Sequence, residues 1–364
     1  MPVRIAVIGA GVYGTHVLNV LSAAARSGEA DLVAVADIAP PTLERAVQRF
    51  RIRGYADYRE ILERENLDAV AVVTPDYLHR QVVLDAAAHR IHILCQKPIA
   101  TRTEEGCEMI AAARDAGVLL AVDFHKRYDP AHRELKRSIR QGRLGRILYG
   151  DVYMEDRIEV PAVWFKSWAD RSSPAWFLGT HFYDLVSWLL EARPVRVFAH
   201  GNKHKLLSMG IDSYDHVSAA VVYDNGAVIT YHASWILPDG FPSIVNQQIR
   251  LIGSEGIGEI DSQDRGFLAC FSDQPGCQIS NPFAKAEPLN PDSRFDLPLS
   301  GYTCDSIRHF VQLAGHLKNG VSLADLAGSY PDGAEAMIAT RTCEAIHESL
   351  ETGCLVAIDP ESWR

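Results

Sequence analysis

Three glycines near the start of the chain are spaced in a way that bears on ligand binding. They form the pattern G-x-G-x-x-G and follow an apolar run, Val3 to Ile8, that predicts a buried strand. A helix that begins in such a loop offers unpaired N–H groups and a partial positive charge, so a pyrophosphate can lie against the bare backbone. We therefore predict dinucleotide contacts along this loop, at Gly9, Gly11, Val12, Tyr13 and Gly14.

A carboxylate follows the second apolar run of the chain. Asp37 comes directly after Leu32 to Ala36, twenty-three residues beyond Gly14. At the tip of a second strand, a carboxylate accepts hydrogen bonds from a ribose diol and repels a 2′-phosphate. Asp37 therefore predicts NAD as the cofactor in preference to NADP. Its alternative role is that of a helix cap or a solvated acid.

A lysine, like Asp37, follows an apolar run that predicts a strand. Lys97 follows the apolar run Ile91 to Leu94, and Pro98 prevents a regular continuation of the backbone. In that place the Lys97 ammonium could hydrogen-bond a substrate hydroxyl and stabilise developing alkoxide charge. The alternative is an ordinary surface lysine in a loop.

A histidine lies on a helix that is predicted to begin at Ser173, with Pro174 at its first position. On one helix Phe177, His181 and Asp184 share a face, because they are four and three residues apart. Histidine suits proton transfer, since its ordinary pKa of about 6.5 lies near working pH. The alternative for His181 is a buried core histidine with satisfied hydrogen bonds, and Asp184 is expected to have a structural role.

Aromatic side chains crowd the approach to this helix. Aromatic faces stack on the C–H faces of sugar rings, so these residues predict the wall of a sugar pocket. Tyr153, on the preceding strand, is expected to face the same pocket. The alternative is a loop that its tryptophans fix to the core. The predicted substrate contacts are Lys97, Tyr153, Trp164, Trp168, Phe177 and His181.

Two further patterns bear on metals and disulfides. His216 lies near Asp212 and Asp215, but nothing nearby supplies the rest of a coordination shell, so we predict no metal site. The seven cysteines have no C-x-x-C spacing. We therefore expect reduced thiols in a cytoplasmic protein, without a zinc site or a disulfide framework.

The elements that must position these residues alternate between strands and helices in the first third of the chain. Such alternation predicts a doubly wound parallel sheet of the Rossmann type, covered on both faces. Ligands of such sheets bind at the carboxyl ends of the strands. We therefore expect further cofactor contacts at this edge, from Thr74, Pro75, His79, Gln96, Lys97 and Pro98.

A change of pattern near residue 125 predicts a second domain. From Arg146 onward, strand-like runs are separated by hairpin signals such as Asp224-Asn225-Gly226. Consecutive strands with short turns indicate an open, mainly antiparallel sheet with helices on one face. The predicted domains are therefore 1–124, which binds the dinucleotide, and 125–364, an α+β domain for substrate binding and oligomerisation.

Length, composition and charge narrow the class of protein. A chain of 364 residues with 47% apolar and 23% charged residues predicts two globular domains. The formal charge of -10 disfavours nucleic acid and anionic membranes as partners. No apolar run is long enough to span a bilayer. Because the chain starts directly with a strand and a loop, we expect no cleaved signal peptide.

Together these residues resemble the Gfo/Idh/MocA family of oxidoreductases, named for glucose-fructose oxidoreductase and inositol dehydrogenase. The family's E-K-P signature appears as Gln96-Lys97-Pro98, with glutamine in place of glutamate. The other stretches that carry the resemblance are the glycine loop, Thr74-Pro75 with His79, residues 124–130, residues 252–256 and the tail from Glu344 to Val356.

The resemblance implies roles for several residues. Lys97 would contact the reacting hydroxyl, and the lysine–proline bond of the family is often cis. His181 matches the histidine of the family's D-x-x-x-H-x-x-D pattern and would be the general base. Phe177 stands where that pattern has its first acid, so an apolar wall replaces a hydrogen-bond acceptor. Members often dimerise through the C-terminal sheet, which implies a homo-oligomer, a dimer or tetramer.

The sequence thus predicts an NAD-dependent dehydrogenase of a sugar, cyclitol or related polyol. Hydride would pass between a secondary carbinol carbon and the nicotinamide. One alternative is an enzyme that recycles bound NAD during epimerisation, elimination or glycoside cleavage, and another is a regulator that binds dinucleotide without chemistry. Lys97 and His181 favour an enzyme. Gln96 and Phe177 depart from the family's pattern, so a regulator without catalytic activity stays an alternative.

Overall fold

The structure is a computed structural model that describes residues 1–261, 267–270, 277–280, 287–288 and 299–359. The chain divides into two compact units. The first contains Met1–Tyr128 and takes in a later segment that ends at Met337. The second begins at Asp129 and takes in the chain from Ile338.

The described chain alternates strands and helices before it turns to consecutive strands. The strands are β1 (Val3–Ile8), β2 (Ala30–Ala36), β3 (Arg53–Tyr55), β4 (Ala69–Val72), β5 (His92–Cys95), β6 (Leu120–Val122), β7 (Ile147–Arg157), β8 (Pro194–Asn202), β9 (His216–Tyr223), β10 (Val228–Leu237), β11 (Val245–Gly253), β12 (Ile257–Asp261), β13 (Phe267–Cys270), β14 (Cys277–Ser280), β15 (Glu287–Pro288), β16 (Leu299–Ser300) and β17 (Val356–Ala357). The helices are α1 (Val12–Arg26), α2 (Pro40–Phe50), α3 (Tyr58–Arg64), α4 (His79–Ala88), α5 (Thr103–Ala116), α6 (Pro130–Arg140), α7 (Thr180–Leu190), α8 (Lys205–Ser208), α9 (Tyr302–Lys318), α10 (Leu323–Leu326) and α11 (Gly333–Thr352).

The first unit is built on a six-stranded sheet with the order β3-β2-β1-β4-β5-β6. All neighbouring strands in it are parallel. Its inner strands are buried along nearly their whole length, because helices cover both faces. The predicted doubly wound fold is confirmed, and the strand order reverses between β1 and β4, where such sheets bind ligands.

The helix α9 belongs to the first unit, although it comes late in the chain. Its buried residues Ile307, Phe310 and Val311 share a core cluster with Val3 and Leu18. For this reason the division differs from the predicted domains 1–124 and 125–364. The first stretch extends to Tyr128, and the chain returns to the first unit before Met337.

The second unit is built on a seven-stranded sheet with the order β12-β11-β7-β10-β9-β8-β17. Five of the six neighbouring pairs are antiparallel, as predicted. The central pair, β7 with β10, is parallel. The reason is that the chain leaves the sheet after β7 through helical turns and α7, and then returns as the meander β8-β9-β10, whose last strand runs in the direction of β7.

The helix α7 forms the core of the second unit. Every residue of it except Trp188 is buried, as expected for a helix that is apolar on most sides. It packs on the sheet through Tyr183, whose ring centroid lies 5.0 Å from that of Tyr231. Tyr231 in turn shares a hydrogen bond of 2.5 Å with the Tyr223 hydroxyl. The side chain of His181, the second residue of α7, is therefore attached to a helix that tight packing holds in place.

A single wide turn precedes α7 and changes the predicted geometry. The sequence predicts one helix from Ser173, but Ala175–Gly179 forms a π turn and the α-helix starts at Thr180. The Oγ of Ser173 still accepts a hydrogen bond from the Trp176 N–H at 3.2 Å, which confirms its capping contact. Single π turns inside helices occur often at functional sites.

Across the described ranges, we find no helix that combines the length and the apolar character needed to cross a bilayer.

Candidate functional site

The glycine loop connects β1 to α1 at the edge of the parallel sheet. Gly9 has a φ of 101°, and a Cβ there would collide with the carbonyl of Val73. A Cβ at Gly14 would collide with the carbonyl of Gly9 itself. A Cβ at Gly11, in contrast, would meet nothing within 4 Å. Two of the glycines thus allow close backbone packing, and the third leaves the loop open to a ligand.

The start of α1 fits the pyrophosphate of NAD. Gly11 is the N-cap of this helix, and no side chain caps the helix. Its first turn contains no acidic residue that would repel an anion. The first backbone N–H groups of α1, at Val12 and Tyr13, have no partner within the helix and could donate to phosphate oxygens, as predicted.

Asp37, the residue predicted to contact a ribose, directly follows β2 and contacts the glycine loop. Its Oδ2 accepts a hydrogen bond from the Ala10 N–H, and its Oδ1 accepts one from the Ala39 N–H, both at 2.8 Å. An ionised carboxylate has about four acceptor positions, so it can also accept from a diol. Asp37 thus connects the glycine loop to the turn that follows β2, and its predicted role toward a ribose remains a prediction.

We predict that the substitution Asp37→Asn lowers the preference for NAD over NADP by about tenfold or more, because it removes the charge and keeps the shape. The ratio of kcat/KM values for the two cofactors measures this. Asp31→Asn is the matched control: Asp31 forms a half-buried ion pair with Arg4 near the other end of β2, and its change should leave the ratio unchanged. An unchanged ratio in Asp37→Asn would rule out the ribose contact.

A buried histidine joins the turns that follow β4 and β5. His79 is 1% exposed, and its Nδ1 lies 2.9 Å from the Pro98 carbonyl oxygen. Its Nε2 lies 3.0 Å from the Thr74 carbonyl oxygen. Both ring nitrogens therefore face the backbone, and burial lowers the pKa of the ring. The predicted cofactor residue His79 holds two loops in place and does not offer a free nitrogen to a ligand.

Lys97 follows β5 in the second of these turns. The side chain lies in a largely buried position, and the Lys97-Pro98 bond is cis, as the resemblance implied. Because β1, β4 and β5 are parallel, the glycine loop, Thr74-Pro75 and Lys97 lie at the same edge of the sheet. The structure thus brings the predicted cofactor residues of the first unit together.

Two predicted cofactor residues contact a carboxylate that no sequence pattern indicates as part of the site. Asp123 directly follows β6, and its Oδ2 accepts hydrogen bonds from the Tyr13 hydroxyl at 2.9 Å and from Gln96 Nε2 at 2.5 Å. The side chains of Tyr13 and Gln96 thus form hydrogen bonds within the protein. The available signal was the position of Asp123 at the carboxyl end of a predicted strand.

In the second unit, His181 is the second residue of α7. It is 6% exposed and stands directly after the π turn. A Cβ at Gly179 would collide with the Tyr183 hydroxyl, so only glycine allows this close start of the helix. His181 thus lies on a helix of which every residue except Trp188 is buried.

An aromatic cluster surrounds Phe177 on the π turn. The ring centroid of Phe177 lies 4.6 Å from that of Phe165, 6.2 Å from that of Trp168 and 6.1 Å from that of Trp235. Phe165 and Trp168 also contact each other, at 4.4 Å. Phe177 and Trp168 are half-buried, so this cluster presents apolar surface. Trp164 lies farther out, with 41% of its surface exposed.

Two other predictions for this unit have different outcomes. Tyr153 alternates with the buried residues Val152 and Met154 along β7, so it lies on the sheet face opposite to the one that packs on α7. The structure therefore does not bring Tyr153 to His181.

Asp184 lies in the interior near Tyr223, where burial and the Asp184 charge raise the pKa of the tyrosine to about 12. Asp184 has the structural position that was expected.

The acidic residue beside His216 has a structural explanation. Asp215 accepts backbone hydrogen bonds from His204, Lys205 and Leu206 at 2.7 to 2.9 Å. Among the described residues, no group of three or more potential ligands could hold a metal ion.

Comparisons with known proteins agree with this architecture. Residues 3–124 match an oxidoreductase family described as having an NAD-binding Rossmann fold, and residues 132–259 match the C-terminal domain of the same Gfo/Idh/MocA family. An inositol 2-dehydrogenase of Acidothermus cellulolyticus is 32% identical over 278 residues, which cover 75% of this chain and 74% of the relative. The scyllo-inositol 2-dehydrogenase (NAD(+)) of Bacillus subtilis is 30% identical over 261 residues, or 70% of this chain and 72% of the relative.

Solved structures show the same fold. A myo-inositol 2-dehydrogenase from Lactobacillus plantarum superposes with a TM-score of 0.80 at 21% identity, over 99% of this chain and 100% of that one. A scyllo-inositol dehydrogenase from Lactobacillus casei, with bound NAD(H) and scyllo-inositol, gives 0.78 at 18% identity, over 98% and 99%. The chain therefore belongs to the Gfo/Idh/MocA family of oxidoreductases, and its first unit is an NAD-binding Rossmann domain.

Proposed function

We propose that the protein is an NAD-dependent dehydrogenase that oxidises a secondary alcohol of a sugar, cyclitol or related polyol. The observation that carries this proposal is the place of Lys97, in a buried turn at the same sheet edge as the glycine loop. Bound NAD supplies the hydride acceptor in such a reaction. The relatives named above are dehydrogenases of inositols, which supports a polyhydroxylated substrate.

Lys97 is proposed to bind and polarise the reacting oxygen. An ammonium group donates hydrogen bonds to a hydroxyl and stabilises the negative charge that develops when the proton leaves. Its turn is held by the His79 contact with Pro98, so little reorganisation is needed during the reaction. Lys97 thereby lowers the free energy of the alkoxide-like state.

His181 is proposed to act as the general base. A neutral imidazole accepts the hydroxyl proton as the alcohol is oxidised, and in the reverse direction the imidazolium returns it. The buried start of α7 keeps the ring in one orientation, which such proton transfer requires.

Phe177 is proposed to form an apolar wall of the substrate site, together with Phe165 and Trp168. Aromatic surface favours C–H groups and offers no acceptor for a hydroxyl. Where a carboxylate would bind a further hydroxyl, this protein is therefore expected to favour a substrate with a C–H or ether group. Anhydro sugars, deoxy sugars and glycosides have such positions.

The substitution Phe177→Asp is predicted to shift the preference toward fully hydroxylated cyclitols, by about tenfold or more in relative kcat/KM. The carboxylate can bind a hydroxyl that the ring cannot. Phe177→Leu keeps an apolar wall and is the control that should retain the parental ranking of substrates. If Phe177→Asp also retains the parental ranking, the aromatic wall does not face the substrate.

The proposed activity is tested by a substrate screen. Aldoses, cyclitols, glycosides and anhydro sugars are offered with NAD, and the absorbance of reduced cofactor is followed. Net reduction of NAD, abolished in Lys97→Met, is the expected result. Conversion of a substrate without net reduction would instead support an enzyme that recycles bound NAD. Absence of any conversion, with NAD bound, would leave the dinucleotide-binding regulator.

We also propose a cytoplasmic homo-oligomer that forms through the open face of the second sheet. That face carries exposed apolar side chains, among them Tyr149 and Val228, which are paired on β7 and β10, and Phe198 on β8. Such a patch is suited to binding a second copy. Cys95 and Cys304 are buried thiols that form no disulfide, which fits a reducing compartment. Light scattering measures the number of subunits.

A further inference from the structure

A buried negative charge links the segments that carry the cofactor loop and the lysine. Asp123 is 1% exposed. Its Oδ2 accepts the Tyr13 hydroxyl, from the helix that follows the glycine loop, and the Gln96 amide, from the residue before Lys97. One carboxylate oxygen is therefore shared by two segments that are far apart in sequence.

Aromatic rings enclose this charge. The His125 ring is stacked between Tyr13 and Tyr302, with centroid distances of 6.0 and 5.6 Å. Its Nδ1 lies 3.3 Å from the Tyr13 hydroxyl and 3.9 Å from Asp123 Oδ2. Because the surroundings are buried, hydrogen bonds to the carboxylate are stronger here than in water.

The identity of residue 96 follows from this arrangement. The family signature has glutamate at this position, and Gln96 stands there in this chain. A glutamate would place two buried carboxylates about as close as the present 2.5 Å contact, and they could not both be ionised. An amide instead donates to Asp123. Gln96 and Asp123 therefore form a matched donor and acceptor.

We propose that Asp123 is a positioning residue for Lys97. It accepts a hydrogen bond from Gln96 and thereby holds the next residue, Lys97, in place. The charge fixes the backbone at residue 96 and hence the direction in which the next side chain leaves the turn. The Tyr13 hydroxyl donates to the same carboxylate from α1, whereas the backbone groups of the glycine loop, which would bind the cofactor, do not depend on this contact. This inference rests on the proposed role of Lys97.

The protonation states of the network fit this role. Burial by itself raises the pKa of Asp123, but contacts with His125, Ser306 and Gln96 outweigh it, and the net direction is downward. Burial lowers the pKa of His125, and burial with the Asp123 charge raises that of Tyr13. At neutral pH the network therefore holds one negative charge, a neutral imidazole and a protonated phenol. Among the described residues, His16 and Cys304 also interact with the charge of Asp123, and the charges of Lys97 and Lys126 act on His125.

The test uses the full chain with four changes: Gln96→Glu, Asp123→Asn, the two combined, and Gln96→Met. Gln96→Glu is expected to lower kcat by about 10²-fold at alkaline pH, because the two carboxylates repel and displace the turn. The combined variant restores an amide–carboxylate pair with the roles exchanged, and kcat should return to within about tenfold of the parent. Gln96→Met removes the donor without adding charge and should still lower kcat by about tenfold.

Two further readouts separate positioning from a loss of folding. The Kd for NAD, measured by quenching of protein fluorescence, should stay within about threefold of the parent, since backbone groups bind the phosphates. The ratio of Gln96→Glu activity to parental activity should rise from about pH 9 to about pH 6, because a shared proton restores the hydrogen bond. If Gln96→Glu does not fold, the kcat of Gln96→Met, which adds no charge, still tests the inference.

The results that overturn the inference are distinct from those that overturn the proposed function. Parental kcat in Gln96→Met, or a combined variant no better than Gln96→Glu, would remove Asp123 from the positioning of Lys97. Lys97→Met is measured in the same series. Full activity in that variant would overturn the proposed role of Lys97 itself, whereas its inactivity beside parental rates in the Gln96 variants would overturn only this inference.

Discussion

Replacing Lys97 by methionine is expected to lower kcat by about 10²- to 10³-fold, the usual effect of removing one group that stabilises oxyanion charge. Methionine keeps most of the length and the apolar stem but has no ammonium. The Kd for NAD should stay nearly unchanged, because the N–H groups of the glycine loop and the Asp37 carboxylate remain. Steady-state kinetics on the best substrate of the screen and a binding titration measure the two effects.

A control and a graded variant make the Lys97 result specific. Lys205→Met, at an exposed position on α8, loses the same charge and should behave like the parent. Lys97→Arg keeps the charge but changes its geometry, so it should retain part of the activity lost in Lys97→Met. Full turnover in Lys97→Met would show that the ammonium has no part in the reaction.

Replacing His181 by asparagine is expected to lower kcat by about 10²-fold or more, the usual contribution of a general base. Asparagine is similar in size and polar, so the buried start of α7 should stay folded. The pH dependence should also change. A histidine base must be neutral to accept a proton, so the parental rate of alcohol oxidation rises with pH, and the variant should lose that rise.

His89→Asn is the matched control for this change. His89 is an exposed residue that follows α4, and its loss should leave both the rate and its pH profile at the parental values. If His181→Asn kept the parental rise with pH, another group would be the base.

Much of the fold could be predicted because local patterns and tertiary packing agree. The strand Val3–Ile8 has the predicted bounds, and the strands that follow Arg146 form the predicted, mainly antiparallel sheet. In these segments the apolar spacing, the turn residues and the buried face all indicate the same element. The short strand Arg53–Tyr55 was missed because three mainly exposed residues carry no such pattern.

Features that depend on contacts distant in sequence were not predictable in the same way. The helix α9 joins the first unit because its apolar side packs on β1 and α1, nearly the whole chain away. The parallel pairing of β7 with β10 follows from the path of the chain and not from either strand's residues. The π turn at Ala175–Gly179 broke the assumption that one helix face carries Phe177, His181 and Asp184.

The same distinction applies to the candidate site, where local motifs could be predicted and contacts between distant residues could not. The glycine loop was predictable because its function needs particular residue types at fixed spacing within a few positions. The Gln96 contact with Asp123 joins residues 27 apart through one buried oxygen, and neither residue type alone indicates it. Likewise, His79 was predicted to contact the cofactor, but the contacts of its two ring nitrogens with backbone carbonyl oxygens appear only in the folded chain.

The central claim is that Lys97 and His181 act on the same hydroxyl, and a double-mutant cycle tests it most directly. The kcat/KM values of Lys97→Met, His181→Asn and the combined variant are compared with the parent at one pH. If both groups serve one transition state, the combined loss should be little greater than the larger single loss, since groups that act as a unit are not additive. Losses that multiply in full would show that the two residues act independently and would contradict the mechanism.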